Sequence, residues 1–191
     1  MTIVNVEDAR RLARRRLPRI FFDYLDGGAF SETTMRANIE DFRAWSLDQR
    51  VLVGNPARDL STVFLGGRHR LPFMLAPIGF LGLLAGRGEL VSAQAAAAAG
   101  IPFCLSSFAI ARIGDVRRAA AGPLAFQLYV LKDRSRAEAF IDRAREAGVE
   151  TLILTVDTTV TSVRERDVRH GFRTLTKVTP GLFARFLLHP R

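Results

Sequence analysis

Four apolar runs of strand length in this sequence end in residues that could hold a polar ligand. These ends are Ala76-Pro77-Ile78-Gly79, Ser106-Ser107, Gln127-Leu128-Tyr129 and Thr155-Val156-Asp157-Thr158. If the strands are parallel, their carboxyl ends meet at one mouth, where hydroxyl and amide groups can bind the polar edge of a ligand. A glycine there lets the backbone turn close to that ligand. The pattern predicts one shared site.

Other chemistry finds little support in the sequence. No nucleotide-binding glycine motif has the required spacing. The three histidines, His69, His170 and His189, lack metal-ligand spacing, and we expect each at the surface. The single cysteine, Cys104, lies in an apolar run, which predicts a buried inert thiol, no disulfide and a reducing compartment.

The elements that would position these strand ends alternate regularly. Strands are predicted at 73–76, 102–105, 124–128 and 151–156, and their starts are 22 to 29 residues apart. Helices are predicted between them at 88–99, 112–121 and 134–147. A glycine follows each helix, as expected of a C′ residue; these are Gly100, Gly122 and Gly148.

Parallel βα repeats leave an open doubly wound sheet or a closed barrel. Four consecutive polar strand ends favour the (β/α)8 barrel, because its strand ends all converge on one mouth. A whole barrel takes roughly 250 residues, and this chain has 191. We expect an incomplete barrel of about four βα units, with the other half missing or supplied by another chain.

The flanking regions differ from the repeats. Helices are predicted over 6–16, from Pro18 to Gly27-Gly28, and from Ser31 to about residue 42, followed by a hairpin that turns at Gly66-Gly67. The end of the chain is basic and apolar, with a short helix predicted over 182–188. The predicted division is a cap at 1–70, a half-barrel at 71–163 and a basic apolar loop at 164–191.

The composition is that of a folded protein with a large positive charge. Hydrophobic residues make up 48% and charged residues 25% of the chain, and the net charge is +9. Nucleic acid, an anionic membrane or an anionic small substrate could explain this charge. The arginines are spread along the chain, which favours solubility or a compositional bias of the genome. The acidic N-terminus predicts no secretory signal.

Five segments in collinear order resemble the FMN-dependent 2-hydroxy-acid dehydrogenases and oxidases. They are Phe22-Asp-Tyr-Leu-Asp-Gly-Gly-Ala29, Leu75-Ala-Pro-Ile-Gly79, Leu105-Ser-Ser107, Phe126-Gln-Leu-Tyr129, and Thr155-Val-Asp-Thr158 with Arg164-Glu-Arg-Asp167. The resemblance covers essentially the whole chain and implies the N-terminal half of a (β/α)8 barrel that binds FMN.

The resemblance also implies a cofactor site. Ala76, Pro77, Ile78 and Gly79 would lie against the flavin near its reactive nitrogen. The polar edge of the ring would be bound by three side chains: Ser106, Gln127 and Thr155. Burial alone would also require such groups to find partners within the core.

Substrate contacts implied by the resemblance involve the only two tyrosines of the chain. Tyr24 and Tyr129 would donate phenolic hydrogen bonds, Tyr129 as the catalytic position, and Arg164 would hold the substrate carboxylate. Buried tyrosines and a surface arginine are the alternatives. The chain has Thr159 where the family often has proline, and it lacks the glycine often found before Arg164.

In the family, the base histidine, the main carboxylate-binding arginine, a flavin-contacting lysine and the phosphate site lie in the second half-barrel. The expected activity is oxidation of a lactate- or mandelate-like L-2-hydroxy acid, with electrons passed to quinone, a cytochrome or oxygen. This chain alone is expected to be inactive. The alternative is a truncated fragment, or a half-barrel that needs a separate C-terminal partner.

Partners and location follow from the same resemblance. We expect a homo-oligomer for a full-length protein and no nucleic-acid partner. We expect a cytoplasmic protein, for which residues 174–191 offer peripheral contact with the inner face of the cell membrane. An active-site cover or a subunit contact is the alternative role of these residues. A basic module that binds RNA or lipid is disfavoured, because it would not need polar strand ends.

Overall fold

The computed structural model describes residues 2–54, 57–157, 160 and 162–170. The described helices are α1 (Val6–Arg16), α2 (Arg19–Asp26), α3 (Thr33–Glu40), α4 (Leu81–Leu84), α5 (Gly88–Ala99), α6 (Ile113–Ala119), α7 (Arg134–Glu146) and α8 (Glu165–His170). The described strands are β1 (Thr62–Phe64), β2 (Gly67–His69), β3 (Phe103–Ser106), β4 (Leu124–Tyr129) and β5 (Thr151–Thr155). The predicted helix over 182–188 lies outside the described residues.

The chain divides into two compact units. One comprises residues 1–53 and 160–191, and the other comprises residues 54–159. The first unit contains α1, α2, α3 and α8, and the second contains the strands and helices α4 to α7. The predicted division at residues 70 and 163 stays a prediction.

In the first unit, local sequence sets the helix bounds. α1 spans the predicted 6–16, and the Asn5 side chain accepts a hydrogen bond from the Asp8 N–H at its start. Arginines fill its last turn, where cations stabilise the helix dipole. Pro18 precedes α2, and Gly27 follows it, as predicted.

The second unit is built on a parallel sheet. The strand order is β3-β4-β5, and each neighbouring pair is parallel. Alternate residues of β3 and β4 pack on α5, α6 and α7 in one core of buried side chains; the strand members are Phe103, Leu105, Leu124, Phe126 and Leu128. The intervening residues, such as Ser106 and Gln127, therefore lie on the opposite face.

The strand predicted at 73–76 is reduced to a single parallel bridge from Leu75 to Phe103. The Leu75 N–H donates to the Pro102 carbonyl at 3.0 Å, and the Leu75 carbonyl accepts from the Cys104 N–H at 3.0 Å. The next ladder bonds in either direction would need N–H donors at Pro77 and Pro102. Proline has none, so the ladder stops.

Two other predictions needed correction. α6 ends at Ala119, before Gly122, and the capping residue Ala120 is extended. A Cβ at Gly122 would lie 2.7 Å from the Ala97 Cβ, so this glycine allows close packing on α5. The hairpin turns at Leu65 and Gly66, both at positive φ, one residue before the predicted position.

His69, predicted at the surface, is buried with 6% of its area exposed. Its Nε2 lies 3.1 Å from the Phe64 carbonyl, and its ring contacts the Phe64 ring edge-on at 4.6 Å. The β1–β2 hairpin brings these residues together, which the sequence spacing of histidines alone did not indicate.

The helix-facing side of the sheet should dominate the stability of the second unit. Leu105→Ala removes a side chain that is 2% exposed, and we expect it to lower the free energy of unfolding by about 2–5 kcal/mol. Leu154→Ala is the matched control on β5, because Leu154 is 53% exposed and should cost about 1 kcal/mol. Urea unfolding followed by circular dichroism measures both. Equal losses would contradict this assignment of the core.

Candidate functional site

Three predicted cofactor residues form a hydrogen-bonded row across the carboxyl ends of the sheet. Ser106 ends β3 and pairs in register with Gln127 of β4, while Thr155 ends β5. The Ser106 hydroxyl donates to Gln127 Oε1 at 3.3 Å, and Gln127 Nε2 donates to the Thr155 hydroxyl at 2.7 Å. Gln127 is only 3% exposed, so its amide needs these partners.

Ser107 belongs to the segment Leu105-Ser-Ser107, but no role was predicted for it. It holds Gln127 and Tyr129 in place through three hydrogen bonds. Its N–H donates to Gln127 Oε1 at 3.2 Å, and its hydroxyl donates to the Gln127 carbonyl at 2.6 Å. The same hydroxyl accepts from the Tyr129 N–H at 3.1 Å. A second hydroxyl directly after a buried strand was the only sequence signal of this role.

The segment from Ala76 to Gly79 starts at the same edge. The bridge at Leu75 places it beside β3, and Ala76 and Ile78 are exposed. The left-handed residue of the following turn is Phe80, with φ 58°, and not Gly79. The Phe80 N–H donates to the Phe108 carbonyl at 2.9 Å, which joins this loop to the loop that follows β3.

Aromatic rings continue this connection to Tyr129. The Phe80 and Phe108 rings stack with centroids 5.9 Å apart. The Phe108 and Tyr129 rings are 5.4 Å apart and tilted by 42°. Tyr129, predicted to bind substrate, is partly buried at the end of β4. Its position therefore depends on the two loops before it.

Tyr24 and Arg164, predicted as substrate contacts, meet in the other unit. The Arg164 guanidinium lies over the Tyr24 ring at 5.1 Å and donates to the carbonyls of Tyr24 and Gly27. It also forms an ion pair with Asp167 at 3.3 Å. These bonds satisfy carbonyls at the C-terminus of α2 and hold α8 against it. The carboxylate-binding role of Arg164 stays a prediction.

A second arginine, Arg166, joins the same helices through an ion-pair network. It reaches Asp26 at 3.0 Å and Glu32 at 2.6 Å, and Arg10 of α1 also binds Asp26. The Arg10 hydrogen bond, followed by the charges of Arg10 and Arg166, holds the pKa of Asp26 below its usual range. This network links α1, α2 and α8.

Cys104 has the inert environment that the sequence predicted. It is fully buried in β3, and burial raises the pKa of its thiol to about 11. A thiol of this kind is protonated at neutral pH and is a poor nucleophile.

Among the described residues, no group of three His, Cys, Asp or Glu side chains lies close enough together to hold a metal ion.

The row of strand-end groups fits the polar edge of a flavin ring. Gln127 Nε2 uses one hydrogen toward Thr155, and an amide nitrogen carries two. The Thr155 hydroxyl accepts that bond and keeps its own hydrogen to donate. Two donors thus lie at the strand ends, in the sheet that the exposed residues 76 and 78 adjoin. Such donors suit the carbonyls and nitrogens of the ring.

The parallel βα units with a polar row at their carboxyl ends correspond to part of a (β/α)8 barrel, which is not closed in the described residues. Residues 13–191 match the family model described as FMN-dependent dehydrogenase. The chain belongs to this family of FMN-dependent enzymes.

Relatives agree with this assignment. An L-lactate dehydrogenase of Caulobacter vibrioides is 48% identical over 171 residues, which are 90% of this chain and 45% of that protein. An L-lactate dehydrogenase of Azorhizobium caulinodans is 41% identical over the whole chain and 50% of its own length. The crystal structure of the monotopic membrane protein (S)-mandelate dehydrogenase matches with a TM-score of 0.92 at 38% identity, covering 100% of this chain and 51% of that one. The chain spans about half the length of these relatives.

The Asp26 network should make the first unit sensitive to acid. Because the folded-state pKa of Asp26 is depressed, its contribution is present above the ordinary value of 3.8 and is lost as pH falls through the lowered pKa. Asp26→Asn should lower the free energy of unfolding by about 1–2 kcal/mol at pH 7, a figure reduced because Arg10 is half exposed. The difference from the wild-type chain should shrink below pH 4.

Urea unfolding at a series of pH values measures this effect. Asp48→Asn changes an exposed carboxylate of the same unit and should leave the stability close to wild type at every pH. An Asp26→Asn deficit that stays constant down to pH 2.5 would show that the ion pairs do not produce it.

Proposed function

We propose that this chain supplies one side of the FMN site in an enzyme that oxidises an L-2-hydroxy acid to the 2-oxo acid. The observation that carries the proposal is the Ser106–Gln127–Thr155 row at the carboxyl ends of three adjacent parallel strands. A row of this kind satisfies buried groups and still directs spare donors toward a ligand.

In this proposal the residues of the chain bind and orient, and FMN supplies the acceptor for the two electrons removed from the substrate. Gln127 and Thr155 donate hydrogen bonds to the polar edge of the ring. The segment from Ala76 to Gly79 lies against the ring. Ser107 keeps Gln127 and the start of the Tyr129 peptide in place through its three hydrogen bonds.

The substrate contacts are proposed for Tyr129, Tyr24 and Arg164. A phenol can donate to the hydroxyl or carboxylate oxygen of a hydroxy acid, and a guanidinium pairs with the carboxylate. Arg164 already gives its Nη2 to two carbonyl groups, so any bond to substrate would come from the other edge of the guanidinium. Its main support as a binding residue is its place in the family segment.

The proposed substrate class is based on the names of the matching relatives. Proteins named L-lactate dehydrogenase and (S)-mandelate dehydrogenase match this chain, so a lactate- or mandelate-like acid is the proposed substrate. The proposed electron acceptors are quinone, a cytochrome or oxygen, and the proposed assembly is a homo-oligomer.

Membrane contact is a proposal that concerns the end of the chain. One matching structure is titled a monotopic membrane protein, and residues 174–191 are basic and apolar. We propose peripheral contact of this segment with the inner face of the cell membrane. No helix among the described residues is long and apolar enough to cross a bilayer.

The outer side of β5 supports a need for further polypeptide, as a half-barrel requires. Leu152 and Leu154 lie in register with Phe126 and Leu128 of β4 and so share their face. Phe126 and Leu128 are buried under helices, whereas Leu152 is 45% and Leu154 is 53% exposed. We propose that further polypeptide covers this face in the complete enzyme, and that the proton-abstracting base reaches the opposite, polar face from the second half-barrel.

Flavin titration tests the cofactor site. The chain is combined with a polypeptide that carries the rest of the Caulobacter vibrioides relative beyond the matched region, and FMN binding is followed by fluorescence quenching. Thr155→Val keeps the shape of the side chain and removes the hydroxyl donor. We expect affinity for FMN to fall about 3- to 10-fold, the effect of one hydrogen bond.

Thr151→Val is the matched control. Thr151 lies on the same strand and face, at the opposite end, where its hydroxyl donates to the Leu65 carbonyl at 3.4 Å. FMN affinity should remain at the wild-type value in this variant. The same loss in both variants, or no flavin binding by the combined polypeptides, would refute the proposed site.

The tyrosines are tested in the same reconstituted enzyme. Tyr129→Phe and Tyr24→Phe remove only the phenolic hydroxyl, so turnover should fall by about 10-fold or more while flavin content stays near wild type. Absorbance at the flavin band and steady-state kinetics with L-lactate and (S)-mandelate measure the two quantities. Parallel loss of flavin and turnover would argue against a substrate role.

A further inference from the structure

Glu89 is a buried carboxylate that the proposed chemistry does not use. It lies in the first turn of α5 and is 1% exposed. One oxygen, Oε1, accepts two backbone hydrogen bonds, from the Gly82 N–H at 3.0 Å and from the Ile110 N–H at 2.9 Å. Two backbone hydrogen bonds therefore converge on one buried oxygen, which holds the two peptides at a fixed separation.

The two peptides belong to different loops of the candidate site. Gly82 lies in the short helix α4, within the loop that follows the Leu75 bridge, and Ile110 lies in the loop that follows β3. There is little space between the loops at this point. A Cβ on Gly82 would come within 2.8 Å of the Ile110 Cβ and 3.0 Å of Glu89 Oε2. Glu89 therefore fixes the spacing of the loops.

The same loops carry the aromatic rings that lead to Tyr129. Phe80 lies two residues before Gly82, and Phe108 lies two residues before Ile110. Their rings stack, their backbones share a hydrogen bond, and Phe108 contacts the Tyr129 ring at 5.4 Å. A shift of either loop would move the ring against which Tyr129 packs.

We propose that Glu89 is a positioning residue that sets the orientation of Tyr129 through the two loops, and that it thereby tunes substrate binding. The substrate part rests on the proposed function of Tyr129. The structural part does not, because it concerns only the loops and the tyrosine ring. The two parts can be tested separately.

The structural part is tested by NMR on the full chain, without flavin. The chain contains two tyrosines, so a sample with ring-labelled tyrosine gives two sets of signals, and Tyr24→Phe identifies those of Tyr129. Glu89→Ala should move the Tyr129 ring signals toward their positions in urea and leave the Tyr24 signals unchanged. Amide exchange at Gly82 and Ile110 should accelerate about 10-fold or more.

Three further variants make the test specific. Glu89→Gln keeps an oxygen that can accept both bonds and should restore the Tyr129 signals and most of the amide protection. Glu138→Ala removes an exposed glutamate of α7 and should have no effect. Gly82→Ala keeps the carboxylate but forces the loops apart, and it should shift the Tyr129 signals in the same direction as Glu89→Ala.

The possible results distinguish an effect on the orientation of Tyr129 from an effect on substrate binding. Unchanged Tyr129 signals in both Glu89→Ala and Gly82→Ala would overturn the proposal. If Glu89→Ala does not fold by circular dichroism, Gly82→Ala and Glu89→Gln decide it. In the reconstituted enzyme, Glu89→Ala should raise KM for the hydroxy acid several-fold at unchanged flavin content. Shifted signals with unchanged KM would leave the positioning of Tyr129 intact and refute its role with substrate.

Discussion

The candidate site depends on the need of one buried amide, that of Gln127, for hydrogen-bonding partners. A side chain with 3% exposure cannot turn to water, and an unsatisfied amide in the interior costs about 1–3 kcal/mol. Its oxygen and nitrogen are met by groups from the strands on either side. Strand order, register and the position of the site are therefore coupled, because a slip of one residue would remove Gln127 from this face.

One face of the sheet forms the apolar core of the unit, and the opposite face carries residues of the candidate site. The helix-facing residues of β3 and β4 form the apolar core with α5, α6 and α7. The opposite face carries Ser106 and Gln127, and the strand ends lead into loops held by backbone bonds and aromatic rings. The apolar core thus lies on one side of the sheet, and the polar groups on the other side bind one another near the carboxyl ends of the strands, where barrel sites are built.

In the other unit, arginines add hydrogen bonds and ion pairs to the apolar packing of buried residues such as Ile20 and Phe22. Arg164 satisfies carbonyl groups where α2 ends, and Arg166 pairs with Asp26 and Glu32. A guanidinium suits this task because it presents several donors in one plane. Part of the large positive charge of the chain is thus structural, which the spread of arginines along the sequence did not reveal.

The sequence by itself determined the local elements and the family. Caps and breakers such as Asn5, Pro18, Gly100 and Gly148 set the ends of α1, α2, α5 and α7, because these signals act within a few residues. Tertiary structure alone decided the rest. Prolines at the two ends of a single bridge stopped the first strand, and a hairpin buried His69. Glu89 binds amides 7 and 21 residues away. Such contacts depend on which distant segments the fold brings together, and no spacing along the chain encodes that directly.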